Sequence, residues 1–327
     1  RIFILYSTTI IVCWYSICLS MHTTSRYGRY NQHFISLNRL VLSKIKMTAL
    51  IDPSLYTKTV NELRSFFVSK GFLEVHTQNR LSILAACEDP ETVATYNYNG
   101  QIWPLPQTGQ MWLEYELLSN PSAEGFFCVS TSYRQEPNPV PGRHEVIFPM
   151  FEFEMKGDVI ALENLLVELC EWFGRPYNEM CNQTYKFWQE EFGVEELEHE
   201  HEAEIEWGMI KDFPEFTSPF WNMARNKDGT SKKIDVILDG KETIGSAERS
   251  TDKEQMRDTF HTITEGKYAQ LLYDLFGKER VEQELEDFLS FDFFPRSGGG
   301  IGMQRLMSAF YGKNGARPSR FNRPPCG

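Results

Sequence analysis

A proline-rich turn in the middle of the chain is flanked on both sides by alternating hydrophobic and polar residues. The first run covers residues 129–133 and the second covers residues 148–153. Alternation with a period of two is typical of strands that bury one face. The Pro-Asn-Pro-Val-Pro-Gly segment between the runs favours a rigid connection. The sequence therefore predicts two antiparallel strands joined by a long loop.

Other segments show the helical period. Asp52-Pro53 is typical of a helix start, because Asp caps free amide groups and Pro fits the first turn. Apolar residues then recur at helical spacing until Lys70-Gly71, and a strand is predicted over residues 72–75. Two further helices are predicted over residues 159–173 and 268–289.

Turn residues divide the remaining segments. Asp239-Gly240 lies between two alternating runs, which predicts a β-hairpin over residues 234–249. Residues 81–103 lack clear periodicity, and we expect a loop there that could cover a site. Residues 295–310 read as a glycine-rich loop followed by a helix, with Arg305 in its first turns.

Composition indicates one enzyme-sized domain. The chain has 327 residues, of which 41% are hydrophobic and 24% are charged, enough to bury one substantial core. The formal net charge is −12, which counts mildly against a protein whose main task is to bind nucleic acid. The cysteines show no Cys-x-x-Cys spacing, so a zinc site is not expected.

The first 51 residues differ from the rest, because they contain no Asp or Glu. Residues 2–19 are largely apolar, and residues 21–46 have the basic, Ser/Thr-containing composition of a transit peptide. We expect residues 1–51 to be a transit-like or non-native leader that is disordered, and residues 52–327 to be the catalytic domain. No membrane association is expected for this core. The location would be cytoplasmic, or organellar if the transit peptide is genuine.

Charged residues cluster around the proline-rich turn and the Asp-Gly hairpin. Guanidinium groups match phosphate oxygens bidentately, so Arg134 and Arg143 at the two ends of the loop suit a polyphosphate, although exposed salt bridges are the ordinary alternative. Asp235 and Glu242 lie seven residues apart across the hairpin turn. Two such carboxylates at one end of a sheet can hold Mg²⁺ while nucleotide phosphates complete its coordination.

The string around the turn resembles motif 2 of the class II aminoacyl-tRNA synthetases, in the aspartyl, asparaginyl and lysyl subgroup. The resemblance rests on a strand, Arg-x-Glu, a variable loop, Arg-His and an aromatic residue four positions on. It implies that Arg134 binds the α-phosphate and the amino-acid carboxylate. It also implies that Glu136 reads the adenine amino group, that Arg143 and His144 contact the γ-phosphate, and that Phe148 stacks on adenine.

Two other segments resemble the remaining motifs of this family. Residues 52–75 resemble motif 1, which forms a homodimer interface, and residues 295–310 resemble motif 3. Motif 3 implies that Arg305 contacts the γ-phosphate and that Gly302 lies against ATP. The acids matching Asp235 and Glu242 hold Mg²⁺ in the family.

The segment from Leu105 to Glu114 resembles the element that reaches the amino acid in the aspartyl and asparaginyl enzymes. The resemblance implies that Gln107, Gln110, Glu114, Arg134 and Arg249 bind the amino acid, with Arg249 at its β-position. Aspartate-using members carry Lys at the place of Leu113. A buried carboxylate without that cation needs another partner, so this position looks more like the asparagine-reading version.

The resemblance implies an α+β fold, with an antiparallel sheet flanked by helices. It also implies an ATP- and Mg²⁺-dependent ligase that forms an aminoacyl-adenylate, with catalysis assigned to Arg134, Glu242 and Arg305. Nothing ahead of Asp52 resembles an anticodon-binding domain, and the Gly-Gly-Gly-Ile-Gly run and Glu248-Arg249 look like the related asparagine synthetases. We therefore expect aspartate activation with ammonia as the acceptor. The alternatives are a truncated asparaginyl-tRNA synthetase and a non-catalytic paralogue that binds the amino acid and ATP.

Overall fold

The structure is a computed structural model, and it describes residues 51–78, 80–83, 92–135, 145–217 and 220–312. The chain divides between Ile51 and Asp52, and nearly all of the described residues belong to the second unit, Asp52–Gly327. Within the described residues, no helix is both long enough and apolar enough to cross a membrane.

An eight-stranded sheet forms the centre of this unit. Its strands lie in the order β1-β4-β5-β10-β9-β8-β7-β6, and all neighbours are antiparallel except the pairs β1–β4 and β6–β7. A separate hairpin contains β2 and β3. The strands are β1 (Leu73–Glu74), β2 (Thr95–Tyr98), β3 (Gln101–Pro104), β4 (Gly125–Tyr133), β5 (Ile147–Lys156), β6 (Cys181–Thr184), β7 (Trp207–Phe213), β8 (Ser231–Leu238), β9 (Lys241–Arg249) and β10 (Arg296–Gly302).

Nine α-helices surround the sheet in the described part of the chain. They are α1 (Pro53–Ser69), α2 (Gln110–Ser119), α3 (Val159–Trp172), α4 (Tyr185–Phe192), α5 (His199–Glu202), α6 (Lys253–Thr262), α7 (Lys267–Phe276), α8 (Lys278–Leu289) and α9 (Met303–Tyr311). The predicted fold class, α+β with an antiparallel sheet flanked by helices, is confirmed.

One face of the sheet carries the main apolar core. Phe127, Phe151, Phe153, Ile244 and Ile301 point to this face and are fully buried. They belong to one cluster with apolar residues of α1, α3 and α9, which cover the sheet on this side. Because successive side chains of a strand point to opposite faces, the residues between them must lie on the other face.

The predicted start of α1 is confirmed. The Asp52 side chain accepts a hydrogen bond from the backbone N–H of Leu55 at 2.8 Å, and Pro53 occupies the first helical position. This cap satisfies one of the amide groups that a helix leaves free at its first turn. The helix then buries Leu63, Phe66 and Phe67 against the core.

The second face of the sheet is covered differently. Helix α2 packs on it, and a separate apolar cluster includes Trp221 and residues of α6, α7 and α8. The predicted single helix over residues 268–289 is wrong, because the chain breaks at Gly277, whose φ is +89°. Glycine adopts this backbone conformation without the steric cost of a Cβ atom.

Part of the expected loop over residues 81–103 is a hairpin. Strands β2 and β3 pair through a turn at Asn99-Gly100, where both residues have positive φ values of 53° and 76°. This is the backbone geometry that Asn-Gly favours between paired strands. The sequence therefore contains a turn indicator, and the expectation of a loop is wrong for residues 95–103.

Candidate active site

Polar and charged side chains line the second face of the sheet, in the middle of the molecule. Strand register sets Glu152 opposite Gly300, and Glu154 opposite Gly298. Arg249 lies opposite Arg296 on the next strand pair. All four charged residues are at most 1% exposed. Sheet geometry therefore gathers into one row residues that are far apart in the sequence.

The residues assigned to the phosphates and adenine lie at one end of this row. Arg134 follows β4, Phe148 lies near the start of β5, and Gly302 ends β10. The Arg134 guanidinium carbon lies 5.8 Å from the centroid of the Phe148 ring. Arg305 extends from the first turn of α9, and its Nη1 donates a hydrogen bond to the backbone carbonyl of Glu242. These five residues therefore converge at the same end of the sheet.

Asp235 and Glu242 come together as their spacing predicts. The pairing of β8 with β9 shifts between Val236 and Ile237, and this irregularity sets Glu242 opposite Ile237. The pKa of Asp235 is raised to about 8, mainly because the group is buried. The charge of Lys233 acts to lower this pKa, and the charge of Glu242 acts to raise it. Two acids that repel each other, one buried and one half-buried, favour a cation between them.

The donors fit a magnesium ion. Asp235 Oδ2 accepts a hydrogen bond from Lys233 Nζ at 2.6 Å, whereas Asp235 Oδ1 is buried and has no hydrogen-bond partner among the described residues. A carboxylate oxygen that is shielded from water and lacks a donor is stabilised by a hard cation, and oxygen ligands are those that Mg²⁺ prefers. Asp235 and Glu242 would supply these ligands.

Glu152 is a candidate functional residue that the sequence reasoning missed. It accepts hydrogen bonds from the Thr108 and Ser130 hydroxyls and, at 2.8 Å, from the backbone N–H of Gly109. Burial raises the pKa of Glu152, and these hydrogen bonds and the charge of Arg134 lower it. The alternation Phe-Glu-Phe-Glu over residues 151–154 was the available indicator, because it places two acids on the face opposite the phenylalanines.

At the other end of the row, Arg249 contacts Gln110 and Glu114, which the sequence assigns to the amino acid, and Glu154, which it does not. Its Nη2 donates to Gln110 Oε1 at 2.6 Å, and its Nε and Nη2 each donate to Glu154 at 3.1 Å. Its Nε also lies 3.6 Å from Glu114 Oε1. The structure thus brings together Gln110, Glu114 and Arg249, as predicted for the amino-acid site.

A second arginine, which the sequence reasoning did not select, binds Glu114. Arg296 donates from Nε and Nη2 to Glu114 Oε2, at 3.0 and 2.7 Å. Asn222 Nδ2 donates to the other carboxylate oxygen at 2.8 Å. Glu114, Asn222 and Arg296 are all fully buried. Arg296 lies two residues before the first glycine of the run, and this spacing alone does not indicate a buried cation beside Glu114.

The amino-acid end therefore contains two buried acids and two buried guanidinium groups. Burial raises the pKa of Glu154 to about 7, an effect that Arg249 opposes and the charge of Glu114 enhances. Leu113, where aspartate-using relatives carry Lys, is fully buried in an apolar cluster with Leu117 and Phe126. No further cation comes from that position.

The remaining predicted site residues have different outcomes. Gln107 is buried beside this row, and its Nε2 donates to Thr92 Oγ1 at 3.0 Å. Glu136, Arg143 and His144 lie outside the described residues. Glu248, half of the Glu-Arg pair, points away from the site: it accepts hydrogen bonds from Lys232 Nζ and from the first amide of α3.

The glycine run forms strand β10 rather than the expected loop. A Cβ atom on Gly298 would lie 1.8 Å from Glu154 Oε2, and one on Gly300 would lie 2.7 Å from Met150 Cε and 3.2 Å from Gln110 Nε2. The glycines therefore leave room for the charged side chains of neighbouring elements. At Gly300 the missing side chain lets the Gln110 amide and the Met150 side chain approach the strand closely.

Comparisons with known proteins agree with this arrangement. The family model for tRNA synthetases class II (D, K and N) matches residues 38–318. No curated protein matches the chain. Similar solved structures include asparaginyl-tRNA synthetase from Pyrococcus horikoshii complexed with asparaginyl-adenylate, at 16% identity and a TM-score of 0.65, with 82% of this chain and 68% of that chain covered.

Two structures from Entamoeba histolytica are also similar. Its asparaginyl-tRNA synthetase has 16% identity and a TM-score of 0.65, with 80% of this chain and 64% of that chain covered. Its aspartyl-tRNA synthetase has 18% identity and a TM-score of 0.60, with 83% of this chain and 59% of that chain covered. This chain thus spans about two thirds of the length of these enzymes. Because the family model covers most of the sequence, the chain belongs to the class II tRNA synthetases of the D, K and N group.

Proposed function

We propose that this protein uses ATP to activate an amino acid of the aspartate and asparagine type as an aminoacyl-adenylate. One observation carries the proposal. One end of a sheet face holds Arg134, Phe148, Glu242 and Arg305, and the other end of the same face holds a cluster of buried polar and charged side chains. ATP and an amino acid bound along this face would meet near Glu152.

The reaction requires positioning and charge stabilisation rather than a side-chain nucleophile. The carboxylate of the amino acid attacks the α-phosphorus of ATP, a bond to phosphorus forms, and pyrophosphate leaves. Arg134 stabilises the charge that grows on the α-phosphate, and Arg305 holds the far end of the triphosphate in line. Mg²⁺ held by Asp235 and Glu242 would neutralise phosphate charge. Phe148 offers a ring face to the adenine base.

The charge balance at the amino-acid end favours asparagine. Arg249 and Arg296 are already matched by Glu154 and Glu114, and Leu113 adds no cation. Burying a third carboxylate here would leave one negative charge without a partner, which is costly, whereas a neutral amide needs only hydrogen bonds. We therefore propose asparagine as the activated amino acid and tRNA as the acceptor.

A second candidate is aspartate activation with ammonia as the acceptor. The raised pKa of Glu154, about 7, favours it, because a protonated Glu154 would leave Arg249 able to balance a substrate carboxylate. The resemblance of Glu248 to asparagine synthetases no longer supports this candidate, since the Glu248 side chain binds Lys232 on the opposite face.

We also propose that the protein forms a homodimer. Strand β1 lies at one edge of the sheet, so it presents backbone groups that a second chain could pair with. Leu73 in this strand is 55% exposed and Val68 in α1 is 59% exposed. Sedimentation should give the mass of two chains, and the mass of one chain would rule this proposal out.

ATP–pyrophosphate exchange tests the proposed function. Exchange with asparagine, followed by transfer to tRNA, is the expected result. Exchange with aspartate and amide formation on adding ammonia would instead establish the second candidate. Binding of ATP and amino acid without exchange would identify a non-catalytic paralogue and refute the proposal.

A further inference from the structure

The Glu114 carboxylate is held from two sides by residues that are distant in the sequence. Arg296 occupies Oε2 with two hydrogen bonds, at 3.0 and 2.7 Å. Asn222 occupies one position on Oε1 through its Nδ2, at 2.8 Å. Arg249 Nε also lies 3.6 Å from Oε1, as an ion pair beyond hydrogen-bond distance. An ionised carboxylate accepts about four hydrogen bonds, so Oε1 keeps the capacity for one more.

Asn222 also carries an acceptor without a partner. Its Oδ1 is buried and has no hydrogen bond among the described residues. The orientation of the amide is fixed, because the opposite one would set an oxygen against the Glu114 carboxylate. A buried carbonyl oxygen without a donor is costly in a folded protein, which points to a ligand that supplies one.

A donor without a partner lies nearby. Gln110 is one turn before Glu114 on α2, and its Oε1 is fixed by the hydrogen bond from Arg249. Its Nε2 is buried, has no hydrogen bond among the described residues, and lies 3.2 Å from the place where a Cβ atom on Gly300 would stand. The unmatched atoms are thus a donor on Gln110 and acceptors on Asn222 and Glu114.

We propose that Asn222 is a specificity-determining residue, whose Oδ1 accepts an N–H of a side-chain amide on the bound amino acid, and that Arg296 is the residue that positions it. This inference rests on the proposed amino-acid activation and identifies the chemistry that selects the side chain. The –NH₂ group of the amide donates to Asn222 Oδ1 and to Glu114 Oε1.

A side-chain carboxylate cannot make these contacts. Its two oxygens would face two acceptors, so both sides would lose hydrogen bonds and the charges of the ligand and Glu114 would repel each other. Selection against aspartate therefore comes from unpaired acceptors as well as from charge, which is how a buried polar site rejects an analogue of the same shape.

Arg296 fixes the geometry of both acceptors. Besides binding Glu114, its Nη1 donates to the backbone carbonyl of Ser250 at 3.0 Å. The backbone N–H of Ser250 in turn donates to the backbone carbonyl of Asn222 at 2.8 Å. One guanidinium group therefore orients the carboxylate and anchors the segment that carries Asn222. Lysine could keep the charge but could not make these three hydrogen bonds in one plane.

The test measures dissociation constants for asparagine and aspartate by calorimetry, with Mg²⁺ and a non-hydrolysable ATP analogue present. For Asn222→Ala we expect the ratio of the aspartate constant to the asparagine constant to fall by about tenfold, the effect of one lost hydrogen bond. For Arg296→Lys we expect a smaller fall in the same ratio, of about threefold. Circular dichroism establishes whether each variant is folded. If Asn222→Ala does not fold, the test rests on Arg296→Lys.

Asn182→Ala is the matched control. Asn182 also donates from Nδ2 to a glutamate, Glu163, at 2.5 Å, and its Oδ1 also lacks a hydrogen bond among the described residues, but it lies in β6 at the far edge of the sheet. Asn182→Ala should leave the ratio of the aspartate constant to the asparagine constant unchanged. An unchanged ratio in folded Asn222→Ala and Arg296→Lys would overturn the inference, even where exchange with asparagine upholds the proposed function. Weaker binding of both amino acids by the same factor would also overturn it.

Discussion

Glu154 allows a quantitative test of the buried charge cluster. Its carboxylate lies under Gly298 and accepts two hydrogen bonds from Arg249, yet burial raises its pKa from the ordinary value of 4.5 to about 7. A carboxyl group whose pKa is raised on folding supports stability while it is protonated. It loses that contribution as the pH rises from the unfolded to the folded pKa.

The size of the effect follows from these two pKa values. One pKa unit corresponds to about 1.4 kcal/mol, so ionisation of Glu154 costs about 1 kcal/mol of folding free energy at pH 5 and about 3 kcal/mol at pH 8. Glu154→Gln keeps the shape but cannot ionise. The free energy of unfolding of the variant, minus that of the natural protein, should therefore be about 2 kcal/mol larger at pH 8 than at pH 5, so the variant is relatively more stable at the higher pH.

Urea unfolding at the two pH values measures this difference. Replacing the protonated carboxyl by an amide affects the variant equally at both pH values, so this effect largely cancels, and the attraction of Arg249 is already included in the pKa of Glu154. Glu179→Gln, which removes a carboxyl group from an exposed position, reports how much pH dependence follows from a surface charge alone. A relative stability of Glu154→Gln that is the same at pH 5 and pH 8 would contradict the assignment of a buried, proton-binding carboxyl to this position.

Three further predictions concern the site. Gly300→Ala should leave the protein folded, because its Cβ would meet only the ends of the Met150 and Gln110 side chains, but it should raise the KM for the amino acid by about tenfold by displacing the Gln110 amide. Gly298→Ala, whose Cβ would lie 2.5 Å from the Phe153 carbonyl, should unfold the protein by circular dichroism, and equal effects of the two changes would contradict this. Arg305→Met should lower pyrophosphate exchange by about 10²–10³-fold without loss of thermal stability, whereas Arg257→Met, which removes an arginine paired with Glu286 on the surface, should leave exchange unchanged. Asp235→Asn should raise the Mg²⁺ concentration for half-maximal exchange by at least about tenfold, and an unchanged Mg²⁺ dependence would exclude Asp235 as a ligand.

The sequence was most informative where local chemistry determines local structure. The Asp52-Pro53 cap, the alternation that ends at Tyr133 and the Asp239-Gly240 turn each depend on a few neighbouring residues, and each is found as predicted. The Asn99-Gly100 turn was equally local and was overlooked, because the residues around it do not alternate clearly.

The buried partners of the site could not be obtained in this way. Glu154 and Arg249 are 95 positions apart and are brought together by strand register, whereas Glu114 and Arg296 are 182 positions apart and meet because helix α2 packs on the sheet. The glycine run illustrates the same limit. The run predicts a loop that approaches a ligand, whereas in the structure its glycines accommodate the Glu154 and Met150 side chains, which the run itself does not indicate.

The central claim is that one sheet face holds the nucleotide and the amino acid together. A crystal structure with a non-hydrolysable asparaginyl-adenylate analogue tests it most directly. The account predicts the adenine ring against Phe148, the phosphate group beside Arg134, and the side-chain amide between Asn222 and Gln110. An analogue bound away from this face, or one whose amide does not contact Glu114 or Asn222, would contradict the account.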